Sequence, residues 1–330
     1  MRLLVAVVNY GRADLTIDCL RTAVPEARAV TAEGRGPARI ALCDNGSTDD
    51  SVPVLREAIE REGWSDAVEL TAIAPNRGFT GGNNALLRPA LASDAPPEFV
   101  LLLNNDTLVR EGAFRTLLHI ADELGESVGV LSPRLEWPDG TPQISCFRDF
   151  SPAHEFIAAA ATGPVTKALR RWEVPIPVSD ALMYPDWTSF ACALIRRAVF
   201  ERIGLLDEGY YLYFDDPDFC RRARRAGFRV AHTPEARVVH LRGQSNPQKR
   251  LAAERKRQPW YRYASRTRYY RKHYGPLGPL AANLCWTAGF GVAAVRRALG
   301  RPLPHSHGEP ADIWTNFLRP LAMPTRRQDG

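Results

Sequence analysis

Phe99-Val100-Leu101-Leu102-Leu103-Asn104-Asn105-Asp106 runs through five apolar residues into two amides and a carboxylate. An apolar run this short predicts a strand covered on both faces, as in a parallel sheet. Ligands of open α/β sheets collect beyond the carboxyl ends of the strands, so Asp106 stands where a metal, a phosphate or a sugar hydroxyl would be met. Asp-Thr at a strand exit is also ordinary turn chemistry, and only the rest of the chain decides between the two. Outward from this strand, short apolar runs at 3–9, 39–44, 68–74 and 128–135 alternate with helix-length amphipathic stretches. That alternation predicts an α/β fold with a mixed, mostly parallel sheet flanked by helices. The turn Asn45-Gly46-Ser47-Thr48-Asp49-Asp50 supplies capping groups for a helix starting near Asp49.

From 138 to 186 the chain is rich in proline and loop residues, and the regular alternation stops, which suits an insert or lid. Trp187 to Ile195 then reads as one continuous strand, followed by a helix from about Arg197 to Ile203. In Tyr213-Phe214-Asp215-Asp216-Pro217-Asp218-Phe219-Cys220, Pro217 is placed as the first residue of a new helix, which gathers acids at a helix N-terminus. The expected organisation is a domain over 1–245, in two halves at 1–135 and 136–245, and a basic helical extension over 246–330.

The 330 residues are 45% hydrophobic and 24% charged, as in ordinary globular proteins. Six cysteines without a Cys-x-x-Cys pair read as reduced thiols, and the apolar N-terminal run is too short for a signal peptide, so a cytoplasmic protein is expected. The net charge of +6 conceals a block from Arg221 to Lys272 with 17 Lys and Arg against Glu235 and Glu254. Such a block attracts an anionic partner or forms a solvated basic face. Gln248 to His273 reads as helix, with tyrosines and Trp260 set among the arginines. Residues 277–295 carry no charge. This stretch could span a bilayer, lie at its interface, or pack on the protein; the aromatic and arginine belt before it favours the interface, on the inner face of the membrane.

Chemistry-bearing residues fall in separate groups. The segment Asn76-Arg77-Gly78-Phe79-Thr80-Gly81-Gly82-Asn83-Asn84 follows a strand and opens a helix, so its glycines let backbone amides approach a ligand. Asp215, Asp216 and Asp218 crowd three carboxylates together, which calls for a cation or a proton. His240 ends the apolar pair Val238-Val239 at another strand end.

In their order these motifs resemble the family 2 glycosyltransferases of GT-A fold, specifically the rhamnosyltransferase-like branch. The likeness rests on Val7-Val8-Asn9-Tyr10, Asp44-Asn45-Gly46-Ser47-Thr48-Asp49, Asn76 to Asn84, Leu103-Asn104-Asn105-Asp106, Pro133-Arg134-Leu135, Tyr213 to Arg221 and Val239-His240. It implies an inverting, metal-dependent transfer from a dTDP- or UDP-sugar, rhamnose among the candidates. The implied acceptor is a hydroxyl on a cell-envelope glycan, a lipid-linked intermediate or a natural product. Asp44 would meet the nucleotide base, flanked by Val8 and Asn9. Asn76, Gly78, Gly82 and Asn83 would lie along the ribose and diphosphate, with Asn105 beside them. Asp106 would hold Mg²⁺ or Mn²⁺, and His240 would add a further metal contact. Asp216 corresponds to the general base, with Asp215 beside it, and Trp187 and Asp218 fall on the acceptor side. In Asn104-Asn105-Asp106 the first acid of the family's Asp-x-Asp pattern is an amide, which leaves the strand one carboxylate.

Two other functions fit parts of the chain. A nucleotide-sugar-binding homologue without turnover would keep the donor site alone. A nucleic-acid binder would use the arginines and tyrosines after residue 248, although no recognised nucleic-acid motif accompanies them, so no nucleic-acid partner is expected.

Overall fold

The computed structural model describes residues 1–242, 254–301 and 305–318. The chain forms two compact units, the first of Met1–Phe147, Pro175–Glu208 and Asp216–Ser245, the second of Arg148–Val174, Gly209–Asp215 and Asn246–Gly330. Two internal segments additionally cluster with the C-terminal part.

The first unit is built on an eight-stranded sheet. Its strands are β1 (Leu3–Asn9), β2 (Ala38–Asn45), β3 (Val68–Ile73), β4 (Phe99–Asn104), β5 (Thr107–Val109), β6 (Val128–Glu136), β9 (Cys192–Arg196) and β10 (Arg229–His240), in the order β3-β2-β1-β4-β9-β6-β10-β5. A two-stranded sheet pairs β7 (Cys146–Phe147) with β8 (Trp187–Thr188). β1 runs parallel to both β2 and β4, with Val8 beside Cys43 and Asn104, and Asn9 beside Asp44. This register brings the polar ends of three apolar strands to one level. β9 is antiparallel to β4 and β6, and β5 to β10, so the sheet is mixed. Helices α1 (Ala13–Ala32), α2 (Ser51–Arg61), α3 (Gly78–Leu91), α4 (Ala113–Leu124), α7 (Arg197–Ile203) and α8 (Asp215–Arg225) accompany the strands. Leu3, Val5, Val7, Leu101, Leu103, Leu20 and Phe114 belong to one buried cluster under the sheet.

The second unit contains α5 (Pro152–Ala160), α6 (Gly163–Ala168), α9 (Trp260–Tyr274), α10 (Gly278–Ala298) and α11 (Glu309–Leu318). Ser151 caps α5 by accepting from the His154 amide, with Pro152 at the first helical position. Inside the unit, the buried Arg266 guanidinium donates to Glu155 at 3.0 Å and to Asn283 at 2.7 Å. A buried cation requires partners of this kind, because its desolvation costs several kcal/mol when it stands alone.

Several expectations need correction. The run from Trp187 to Ile195 is two strands, because Ser189–Ala191 leaves the small sheet before β9 joins the main one; the Ser189 amide donates to Ser145 O. The helix expected to begin at Pro217 begins at Asp215, and proline sits at its third position, within the first turn, where a missing N–H costs no intrahelical bond. The helix expected over Gln248–His273 begins at Trp260, after Pro259, and 248–253 lie outside the described residues. Three of its tyrosines, Tyr263, Tyr269 and Tyr270, are buried in clusters of the second unit and so are not part of an interfacial belt. The basic block is likewise partly structural, with Arg222 on Asp218, Arg257 on Asp312 and Arg266 on Glu155. Strand β5 and helix α11 have no counterpart in the sequence reading.

His232 on β10 is buried against Ser132, whose Oγ lies 3.2 Å from its Nδ1. Burial, helped by the Arg134 charge, pulls its pKa down to about 4. The unfolded chain therefore takes up a proton near the ordinary value of 6.5 while the folded protein remains neutral. Stability is complete above pH 6.5 and falls as pH drops toward 4, by about 3 kcal/mol at about 1.4 kcal/mol per pH unit. Urea unfolding at pH 7 and pH 4.5 should show that loss, and His232→Gln should reduce the pH dependence across this window.

Candidate active site

The ends of β1, β2 and β4 converge on a set of buried polar residues in the first unit. Asp44 is 1% exposed. Its carboxylate accepts from Asn9 Nδ2 at 2.8 Å, from Ser47 Oγ at 2.6 Å and from the Ser47 amide at 3.0 Å. Three of its roughly four acceptor positions are thus occupied by the protein, and one is left for a donor group on a ligand. The Ser47 hydroxyl also accepts from the Gly11 amide, which ties the loop after β1 to the turn after β2.

A second chain of bonds starts from the same asparagine. Thr16 Oγ1, on α1, donates to Asn9 Oδ1 at 2.8 Å and accepts from Asn105 Nδ2 at 3.0 Å. Asn105, Thr16, Asn9 and Asp44 form one continuous buried path from the β4 exit to the Asp44 carboxylate. Asn105 is therefore committed to the protein through its amide nitrogen, and Thr16 is a positioning residue that the sequence reading passed over. Nothing in the local sequence around Thr16 marks it; only the fold brings α1 against both strand ends.

The loop before α3 is pinned by Asn45. Its Nδ2 donates to Asn76 Oδ1 at 3.1 Å and to Gly78 O at 2.9 Å, and its Oδ1 accepts from the Arg77 amide at 3.0 Å. Gly78 opens α3 at φ +71°, a left-handed conformation that suits glycine. Gly82 has a packing role, because a Cβ there would lie 2.8 Å from Val8 Cγ1. Asn83 is buried, donating to Phe79 O, and Asn84 bridges to the 206–208 turn through Leu206 O and Glu208.

Asp106 is 2% exposed in the turn between β4 and β5. The antiparallel pair β5–β10 sets Thr107 opposite His240, and the Leu241 amide donates to Asp106 O at 2.9 Å. These bonds bring His240 Nε2 to 3.4 Å from Asp106 Oδ1, so the two residues singled out at separate strand ends meet. His240 is held from behind, its carbonyl accepting from Gln143 Nε2 at 2.8 Å, while its buried Nδ1 has no hydrogen-bond partner among the described residues. One carboxylate and one imidazole suit a divalent cation that takes its other ligands from a diphosphate and water. No group of three or more His, Cys, Asp or Glu at metal-binding distance occurs among the described residues.

Two arginines outside the motifs feel the Asp106 charge. Burial pulls the Arg242 guanidinium below its ordinary pKa, with Asp106 opposing, and Arg12 is raised chiefly by its bond to Asp14, with Asp106 adding. Cys19 lies behind the site, its thiol pushed up to about 12 by burial, and is therefore not a nucleophile at neutral pH.

The acids of α8 divide by exposure. Asp215 and Asp218 are buried, whereas Asp216 is partly open. Asp218 pairs with Arg222 at 2.9 Å, and Arg222 donates to Ile203 O and Leu205 O, so Asp218 shapes the 203–208 loop. Tyr213 and Phe214, just before the helix, have φ of +67° and +63°, which two aromatic residues adopt only when their surroundings impose it. Trp187 is buried and stacked on Phe147, with ring centroids 4.1 Å apart.

A mixed, mostly parallel sheet flanked by helices, with polar side chains collected at its strand ends, is the GT-A architecture of nucleotide-sugar transferases. The mannosyltransferase of Pyrobaculum calidifontis, solved with GDP-mannose and Mn²⁺, superposes with a TM-score of 0.50 over 97% of this chain and 81% of its own, at 18% identity, a likeness of fold. Residues 2–262 match the description "Glycosyltransferase like family 2", and the chain belongs to that family. Among curated relatives, a low-salt glycan biosynthesis hexosyltransferase of Haloferax volcanii is 27% identical over 62% of this chain and 59% of its own length. The N-acetylglucosaminyl-diphospho-decaprenol L-rhamnosyltransferase of Mycobacterium tuberculosis is 29% identical over 67% of this chain and 73% of its own. Likeness to proteins named rhamnosyltransferases, that one among them, puts the chain on the rhamnosyltransferase-like branch.

Thr16→Val would leave Asn9 Oδ1 and Asn105 Nδ2 buried without their shared partner. A loss of about 1–3 kcal/mol in denaturant stability is expected, with weaker nucleotide-sugar binding by calorimetry. A variant with unchanged stability and affinity would remove Thr16 from the account.

Proposed function

We propose that this glycosyltransferase moves a sugar from a nucleoside diphosphate to an acceptor hydroxyl with inversion, dependent on Mg²⁺ or Mn²⁺. The observation that carries the reading is the meeting of Asp106 and His240 at the level of Asp44. Asp44, oriented by Asn9 and Ser47, receives the nucleotide base. The Asn45-pinned loop from Asn76 to Gly78 lies along the ribose and diphosphate, and Arg12 and Arg242 add positive charge. When bound, the cation neutralises charge on the departing diphosphate; Asp106 and His240 would hold it.

Asp216 takes the acceptor hydroxyl's proton. The freed oxygen forms a bond to the anomeric carbon as the bond from that carbon to the diphosphate oxygen breaks, and the nucleoside diphosphate departs with its electron pair. Attack from the face opposite the leaving group inverts the anomeric configuration. The greater exposure of Asp216 favours it over buried Asp215, because a base must reach its substrate. The relatives' names support rhamnose as the sugar and a diphospho-lipid-linked acceptor; a dTDP- or UDP-sugar as donor, an envelope glycan or natural product as other acceptors, and a cytoplasmic place at the membrane's inner face complete the proposal.

Asp216→Asn should lower kcat by about 10² to 10⁴-fold while donor affinity measured by calorimetry stays within about twofold. Full turnover in that variant would overturn the base assignment. Asp106→Ala should abolish the part of donor affinity that EDTA removes from the wild type, and equal affinities with and without EDTA in the wild type would overturn the metal role.

A further inference from the structure

Helix α10 presents an apolar face that no element covers among the described residues. Its inner face is packed within the second unit: Ala282, Asn283, Trp286, Gly289 and Ala293 are buried. A Cβ on Gly289 would strike Phe156 O, so glycine is what allows α5 to come this close. Asn283 accepts from Arg266 and donates to Ile313 O. A helix with one side held in this way does not cross a bilayer alone. The opposite side carries Leu277, Ala281, Leu284, Ala288, Val295 and Leu299, spaced by three, four or seven residues and all exposed. The four larger ones are 72%, 54%, 64% and 78% exposed respectively. At 1.5 Å per residue, the 21 residues make this stripe about 30 Å long. No charged residue interrupts the sequence from Gly275 to Val295. Trp314 of α11 borders the helix, donating from its indole to Thr287 at 3.1 Å.

Exposed charge in the second unit is mostly positive, and Arg297 and Arg301 follow directly on the stripe. Lys167, Arg170, Arg171, Arg271, Arg297 and Arg301 are exposed, against exposed Glu254 and partly exposed Asp149 and Glu173, whereas Glu155, Asp215, Glu309 and Asp312 are buried. An exposed apolar helix face with cations around it matches the demands of a lipid surface bearing negative headgroups. Apolar side chains enter the acyl boundary while Lys and Arg meet phosphates. A second copy of this chain would bring the same cations together and would be repelled.

We propose that the outer face of α10 is a docking surface for the interface of a membrane rich in anionic phospholipids, on which the helix lies flat. This deepens the reading of a lipid-linked acceptor and rests on it for purpose, but binding can be measured without turnover. The full chain should be floated with vesicles of phosphatidylglycerol and phosphatidylcholine in equal parts, and with phosphatidylcholine alone. Binding about tenfold stronger to the anionic vesicles, weakened by 0.5 M NaCl, is expected. The double variant Leu284→Asp, Val295→Asp places acids only at exposed positions, and should lose binding about tenfold while keeping the wild-type circular dichroism and nucleotide-sugar affinity. Arg297→Gln with Arg301→Gln should reduce the anionic preference. Equal binding of wild type and the Asp double variant would overturn the proposal. So would a concentration-dependent dimer in sedimentation that the double variant dissolves while neither protein floats. Wild-type donor binding with failed flotation would refute the membrane surface alone; flotation without donor binding would refute the transferase reading instead.

Discussion

A carboxylate taken out of water must be hydrogen-bonded or paired, and the first unit buries two of them at neighbouring strand ends. Asp44 meets this demand with three donors from Asn9 and Ser47. Asp106 faces the His240 ring, with Nε2 3.4 Å from its Oδ1. The sheet register fixes both positions: β1 lies between β2 and β4, so their polar ends stand level, and the β5–β10 pair returns His240 to the β4 exit. The site is therefore a consequence of strand order, and its charged groups sit on rigid backbone.

Asn105, the middle residue of the Asn104-Asn105-Asp106 exit from β4, has a structural role of its own. Asn105 donates to Thr16, which donates to Asn9, which in turn donates to Asp44. This chain of bonds needs a side-chain donor at 105, which the Asn105 amide supplies. Asp106 is left as the acid of this strand end.

Much of this was legible in the chain. Strands β1 to β4 and β6 declare themselves as apolar runs, because a strand covered on both faces contains little else, and their polar terminators marked Asp44 and Asp106. His240 was visible for the same reason. Thr16 was not, since a lone threonine on a helix gains meaning only from what packs against it; neither was the close pairing of Asp218 with Arg222, which rests on a one-turn helical spacing common to any helix. The basic, aromatic C-terminal stretch misled in an instructive way. Tyr263, Tyr269 and Tyr270 satisfy a core and Arg266 a buried acid, whereas the exposed apolar stripe belongs to the helix that follows. Composition reports which residues are present; it does not report which side of a helix they occupy.

The most direct test of the central claim is the anomalous scattering of Mn²⁺ in crystals grown with a nucleoside diphosphate. The account predicts one strong peak within bonding distance of the Asp106 carboxylate and the His240 ring, with the diphosphate on its far side and the base against Asp44. A nucleotide bound in the site with manganese elsewhere, or with no manganese, would contradict it.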